Sequence, residues 1–352
     1  MPFSIKHSSL LKKIENVILE MITHLKSKKI FMIQFTKCSN WSKNSFKNKN
    51  NVNVNKLHFQ SKQSRRNFTI IIYVLSKIYQ NISNHNVITT RELYYGNTEL
   101  FENDYNVRKA LVNISCLLNT FSWNLGLQLS STGLVAGNLS IYMKDGKILD
   151  CSKMIEGIQI PQDILSIVNL KTNAKYILVI EKDASFQKII KEKIINKQNE
   201  CDFILVTGKG YPDINTRLFV KILSININLP ILALVDANPF GIEIMCIYRF
   251  GSNSMCHQND MLSVPSIKWL GVHPMDITSL NLSCIPMGDL DHLRIESLLK
   301  RPYINSNYQI LQQILALKKL NKKSEIESLT EFTSTYLTNV YIKEKLFNRE
   351  YY

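Results

Sequence analysis

The chain has 352 residues, 45% of them hydrophobic, and a formal net charge of +15. That length favours two or three domains, and the charge favours a polyanionic partner, nucleic acid ahead of an acidic membrane, although an AT-rich genome also produces excess lysine without selection for binding. The seven cysteines are scattered without a Cys-x-x-Cys pair, against a disulfide framework or zinc site and for a reducing compartment, and no apolar run nears the roughly 18 residues of a membrane span.

In chain order, residues 1–38 read as a helical arm. Leu10, Leu11, Ile14, Val17, Ile18 and Met21 recur at helical spacing between Lys12, Lys13, Glu15 and Glu20, which suits a packing face and not a signal core. Residues 39–66 are rich in Asn and Lys and read as a solvated linker, with a basic arm lying on DNA as the alternative. From 67 to 150 the pattern is a small domain. Ile70, Ile71, Val74, Leu75 and Ile78 give one helical face. Thr89-Thr90-Arg91-Glu92 has the form of a capping box and starts a second, short helix. Asn103 or Asp104 caps a third, with Val107, Ala110, Leu111, Ile114, Leu117 and Leu118 facing inward. Leu125, Leu127 and Leu129 alternate as a strand, and Leu134 to Tyr142 returns as its hairpin partner after Gly133. Three helices and a hairpin are the order of a winged helix, a DNA-docking module; a generic helical domain fits the same pattern.

The second half changes period. Tyr176–Ile180, Phe203–Val206 and Ile231–Val235 are short continuous apolar runs, suited to strands buried on both faces. Ser185–Ile195, Ile214–Ile225 and Gly241–Tyr248 fit as intervening helices, so the expected class is α/β with a mainly parallel sheet flanked by helices. Ligands of such sheets bind at the carboxyl ends of the strands. Glu181, Thr207-Gly208-Lys209-Gly210 and Asp236 each follow a strand and are expected on that one edge.

Glu181 and Asp236 are candidates to hold Mg²⁺, a cation that takes oxygen ligands and keeps several waters. Capping of the following helices is the plainer use of the same carboxylates. Lys209 between two glycines can meet a phosphate or simply make a turn. No Gly-x-x-x-x-Gly-Lys-[Ser/Thr] occurs, so no ATP-binding loop of that kind is expected. Arg91-Glu92-Leu93-Tyr94-Tyr95 puts Arg91 four residues before Tyr95, on one helical face. Tyr95 is then either a half-buried aromatic or a nucleophile whose phenolate Arg91 supports, Arg91 alternatively clamping the phosphate under attack.

At these residues the chain resembles a known family. Arg91–Tyr95 with Thr98-Glu99-Leu100-Phe101 resembles the catalytic tyrosine motif of the A-type chain of topoisomerase VI, and more closely that of the meiotic double-strand-break proteins, the Spo-eleven family. Ser131–Leu139 resembles the family's wing; Val179–Ala184, Thr207–Arg217 and Asp236–Met245 resemble its Toprim domain, and Trp269-Leu270-Gly271 and Arg301-Pro302-Tyr303 continue the match. The resemblance implies a winged-helix domain followed by a Toprim domain over 165–352. It implies attack by Tyr95 on DNA, leaving a 5′-phosphotyrosyl protein and a free 3′-hydroxyl. It further implies Mg²⁺ on Glu181 and Asp236, and a homodimer whose tyrosine and metal come from different protomers. ATP would belong to a topoisomerase-VI-B-like partner, and other meiotic break factors would join on nuclear chromosomes. Arg91, Lys209 and Arg217 are the candidate contacts to double-stranded DNA. Asn238 departs from the family's Asp-x-Asp-Pro, which leaves an amide oxygen as third metal ligand. A metal-only Toprim nuclease and a non-catalytic DNA-binding scaffold are the rival readings.

Overall fold

The computed structural model describes residues 7–36, 54–128, 131–154, 156–195 and 203–352. The chain divides into two compact units, Met1–Ser130 with Asn253–Gln258, and Ser131–Ser252 with Asn259–Tyr352.

The first unit runs α1 (His7–Lys26), β1 (Met32–Thr36), β2 (Val54–His58), α2 (Lys62–Ser83), β3 (Ile88–Thr89), α3 (Thr90–Tyr95), α4 (Thr98–Phe101), α5 (Asp104–Leu117) and β4 (Leu127–Gln128). The expected stripes face inward. Leu10 and Ile14 of α1, Ile70, Ile71, Val74, Leu75 and Ile78 of α2, and Val107, Ala110 and Ile114 of α5 are all buried. Each buried Leu, Ile or Val among them contributes on the order of 1.5–3 kcal/mol, and this packing, more than helix propensity, holds the helices in place. Much of the Asn/Lys-rich stretch lies outside the described residues. Its described part, from Val54, includes β2, which pairs antiparallel with β1, Val54 opposite Thr36 and His58 opposite Met32.

Among the described residues the expected hairpin does not form. β4 pairs with β3, and β5 (Leu134–Gly137) belongs to the second unit, antiparallel to a strand far along the chain. The physical reason is burial on both faces. Val135 and Ala136 are buried in a six-stranded sheet, whereas a two-stranded wing covers one face at most.

The second unit continues with β6 (Ser140–Met143), β7 (Ile148–Asp150), β8 (Ile158–Gln159), β9 (Ile167–Lys171), β10 (Tyr176–Ile180), α6 (Asp183–Ile195), β11 (Phe203–Thr207), α7 (Ile214–Asn226), β12 (Ile231–Leu234), α8 (Pro239–Phe250), α9 (Asn259–Leu262), β13 (Lys268–Gly271) and α10 (Pro274–Ser279). The main sheet has the order β13-β12-β10-β11-β5-β8. β13, β12, β10 and β11 are mutually parallel; β5 and β8 add antiparallel pairings. Ile180 lies opposite both Thr207 and Leu234, so Glu181, Gly208 and Val235 leave the sheet side by side, as expected. β6 pairs separately with β7 and β9. Four more helices, α11 (Asp289–Leu299), α12 (Pro302–Asn305), α13 (Tyr308–Leu320) and α14 (Ile342–Phe347), complete the unit.

Among the described residues, Cys151, Cys246, Cys256 and Cys284 are free. No helix among the described residues is long and apolar enough to cross a membrane.

Candidate active-site residues

In the first unit the tyrosine is presented by local rules. Thr89 Oγ1 accepts from the Glu92 amide (3.1 Å), and Glu92 Oε2 accepts from the Thr89 amide (2.7 Å). This is the expected capping box, and it satisfies two donors at the start of α3. Leu93 is the buried anchor of that helix. Tyr95, two residues on, is 71% exposed. Tyr94 is half-buried and its hydroxyl donates to the Glu102 carbonyl (3.4 Å). The two tyrosine rings lie 5.3 Å apart, tilted by 55°. Arg91 is exposed and makes no hydrogen bond or ion pair among the described residues. An uncommitted phenol and an uncommitted guanidinium one turn apart can both meet a phosphate.

In the second unit β10 and β12 deliver their acids to one crevice. Glu181 and Asp236 are 8% and 2% exposed. Glu181 Oε2 accepts from the Asp236 amide at 2.8 Å, while Oε1 accepts no hydrogen bond among the described residues. Asp236 Oδ1 accepts from the Ile326 amide (2.9 Å), and Oδ2 from Asn238 Nδ2 (3.3 Å). Burial, followed by the neighbouring Asp236 charge, pushes the Glu181 carboxyl up to about 7. Burial also raises Asp236, against the Ile326 amide and Lys182. Gly241 is needed here, since a Cβ on it would come 2.8 Å from Glu181 Oε2 and 2.5 Å from the Asp236 carbonyl.

This donor set fits Mg²⁺: two hard carboxylate ligands side by side, one with an oxygen that accepts no hydrogen bond among the described residues. Among the described residues no group of three His, Cys, Asp or Glu side chains positioned for a metal occurs, so a cation here would complete its shell with water. Asn238 is the N-cap of α8. Its Oδ1 accepts from the Gly241 amide (2.8 Å), so the oxygen expected to ligate the cation is engaged as a cap.

Lys209 follows β11 in the left-handed conformation (φ 57°), and its ammonium pairs with Asp183 at 3.2 Å. Gly210, also at positive φ, donates its amide to the Glu181 carbonyl at 2.8 Å, so this loop is fastened to the acid-bearing strand. Arg217 is a correction. It is 2% exposed and donates to Asn259 Oδ1 (3.5 Å), so it cannot reach a phosphate on the surface. Near-complete burial of α7 leaves no wet face at that position.

Sequence reasoning missed Lys182, Glu325 and Glu327. Lys182 Nζ lies 3.1 Å from Asp236 Oδ2, 3.0 Å from Glu325 Oε2 and 2.9 Å from Glu327 Oε2. Its adjacency to Glu181 was the one local signal; the two glutamates carry none. Behind the crevice, Glu243 of α8 is buried against Arg301, Arg294 (3.0 Å) and the Tyr211 hydroxyl. This network ties the glycine loop to α8 and α11.

A family model describing the Toprim domain of Spo11 and of the A-type chain of topoisomerase 6 matches residues 176–346, and one described as Type IIB DNA topoisomerase matches residues 66–127. The meiotic recombination protein SPO11 of Homo sapiens is 37% identical over 350 residues, 96% of this chain and 87% of its own length. The meiotic recombination protein W68 of Drosophila melanogaster is 34% identical over 291 residues, 83% and 86% of the two chains. The A-type chain of DNA topoisomerase 6 from Arabidopsis thaliana is 32% identical over 292 residues, 82% and 67% of the two chains.

Proposed function

Because this chain belongs to the family that unites Spo11 with the A-type chain of topoisomerase 6, we propose that it is a DNA-cleaving transesterase that makes the double-strand breaks of meiotic recombination. The observation that carries the reading is the pairing, in one chain, of an exposed Tyr95 beside a free Arg91 with a buried, charge-hungry Glu181 and Asp236. Tyr95 Oη attacks a backbone phosphorus. The new O–P bond replaces the bond to the 3′ oxygen, which leaves as a 3′-hydroxyl. The phenolic proton passes to solvent, and the 5′ phosphate stays on the protein. Arg91 stabilises the phenolate or the phosphate oxygens.

Glu181 and Asp236 would hold Mg²⁺, which when bound offsets negative charge on the phosphate. Lys209 and the basic surface hold the duplex, and the first unit docks on it through its helices. Two copies cut the two strands, each tyrosine working with the carboxylates of the other copy. A topoisomerase-VI-B-like partner, with further break factors, completes the assembly on nuclear chromosomes.

The test is recovery of protein covalently attached to DNA 5′ ends from meiotic cells. Tyr95→Phe keeps the ring and should abolish the adduct while DNA binding persists; Tyr94→Phe should be far milder. Adducts surviving in Tyr95→Phe would mean another nucleophile. A metal-only nuclease would give breaks without adducts, and a scaffold would give neither.

A further inference from the structure

Asp236 is short of free lone pairs. A carboxylate offers about four acceptor sites. Three donors already point at this one: the Ile326 amide on Oδ1, and Asn238 Nδ2 and Lys182 Nζ on Oδ2. A divalent cation held by Asp236 must therefore share that carboxylate with an ammonium. The same ammonium is divided among three carboxylates from distant parts of the chain. Glu325 and Glu327 flank Ile326, whose amide is itself on Asp236, and Ser324 donates to the Ala237 carbonyl at 3.2 Å. Ser185 Oγ fixes the second oxygen of Glu327 at 2.9 Å. Lys182 sits in the turn after β10, with 28% of its side chain exposed.

We propose that Lys182 is a positioning residue, a tethered counter-cation that sets how tightly the Glu181–Asp236 pair takes a divalent cation and that Glu325 and Glu327 draw partly away from Asp236. The inference rests on the reading of Glu181 and Asp236 as the cation-holding pair. Its sign follows from Coulomb's law. A unit positive charge within hydrogen-bonding distance of a metal ligand repels the metal, so Lys182 weakens binding. The two glutamates oppose it by sharing its charge and by adding their own.

The experiment titrates the full chain, without DNA, with Mn²⁺ alone by calorimetry. Lys182→Met keeps the length of the side chain and removes its charge. It should lower the half-saturating Mn²⁺ concentration by at least about tenfold. Lys182→Arg keeps the charge and should stay near the natural value. Glu325→Gln, at a site whose carboxylate is 56% exposed, should raise the midpoint by about threefold, and by much less in a Lys182→Met background, because part of its effect passes through the ammonium. An unchanged or raised midpoint in Lys182→Met overturns the proposal. If that variant fails to fold, an unchanged midpoint in Glu325→Gln overturns it instead. A natural protein that takes no Mn²⁺, or takes it equally well as Glu181→Gln, defeats the reading of the carboxylate pair and this inference with it. Mn²⁺ binding that Glu181→Gln abolishes and Lys182→Met leaves unaltered defeats the inference alone.

Discussion

Asn238 shows how one atom pair sets a site's charge. Its Oδ1 caps α8 by accepting from Gly241, and its Nδ2 donates to Asp236. Asn238→Asp keeps the cap but turns the donor into a second anion beside a buried one. The variant should melt lower than the natural protein without Mg²⁺ and regain the loss when Mg²⁺ is added. Its half-saturating Mg²⁺ for adduct formation should fall, because a negative charge has been added beside the proposed ligands. Asn238→Ala loses the cap and should cost about 1 kcal/mol of stability, with less effect on cleavage than Glu181→Gln. A Mg²⁺ requirement that Asn238→Asp leaves unmoved would place position 238 outside the cation's field. The amide's departure from the family's aspartate was legible in the sequence. Its use as a cap was also open to sequence, since Asn before Pro-Phe-Gly at a helix start is a capping signal.

Among the elements, those governed by short-range rules were legible and those settled by distant pairing were not. The capping box on Thr89 and the Asn103 cap needed only four residues each, and both formed. The acid-tipped runs became parallel strands because a fully apolar run has no wet face to offer any other element. Leu134–Gly137 was ambiguous: its apolar residues suit a wing or a sheet, and only β11, far along the chain, decides. Glu325 and Glu327 were invisible for the same reason. The short helix α3 allows a test of local rule against function. Thr89→Ala removes one side of the box and should lower stability by about 1 kcal/mol, a shift of a few degrees in melting. Adduct yield should fall several-fold more than that shift accounts for, since the fraying helix carries Arg91 and Tyr95. Equal losses would mean that α3 is held by Leu93 alone. Another element, α10, carries a pH response. His273 precedes it, 1% exposed, with Nε2 donating to the Trp269 carbonyl (3.2 Å) and Nδ1 3.4 Å from Lys345 Nζ. Burial, with Lys345 adding to it and Asp276 opposing, pushes the imidazole down from 6.5 to about 4. The folded value is below the unfolded one, so its stabilising contribution is complete above 6.5 and is lost as pH falls towards 4. Melting should therefore drop between pH 7 and 4.5, and His273→Gln should show a smaller drop. An identical acid response in that variant would assign the effect to other groups, His257 first, which burial also lowers to about 4.

At the scale of the whole molecule, the net charge of +15 is the property that acts at a distance. Phosphate contacts release condensed counterions, so the logarithm of affinity should fall linearly with the logarithm of salt concentration, with a slope near −0.9 per contact. A duplex held through about six phosphates would bind roughly 10³-fold more weakly at 200 mM than at 50 mM salt. Binding should vary little among sequences of equal length, because such contacts read no bases. Individual residues separate the surface charge from the buried charge. Arg91 is exposed and makes no ion pair among the described residues, so Arg91→Ala should reduce the slope by about one contact's worth. Lys209 must first leave Asp183, so Lys209→Ala should have a smaller effect on affinity and the same sign. Arg217 is enclosed in α7, and Arg217→Ala should leave the slope unchanged while lowering the melting temperature, because it vacates a buried, hydrogen-bonded site. Filter binding of one duplex from 50 to 200 mM salt, with melting curves of the same preparations, measures all four proteins together. A flat salt dependence of the natural chain would remove DNA backbone contacts as the use of the charge. A lowered slope in Arg217→Ala would show that its guanidinium reaches the duplex after all, and that the helix opens to let it.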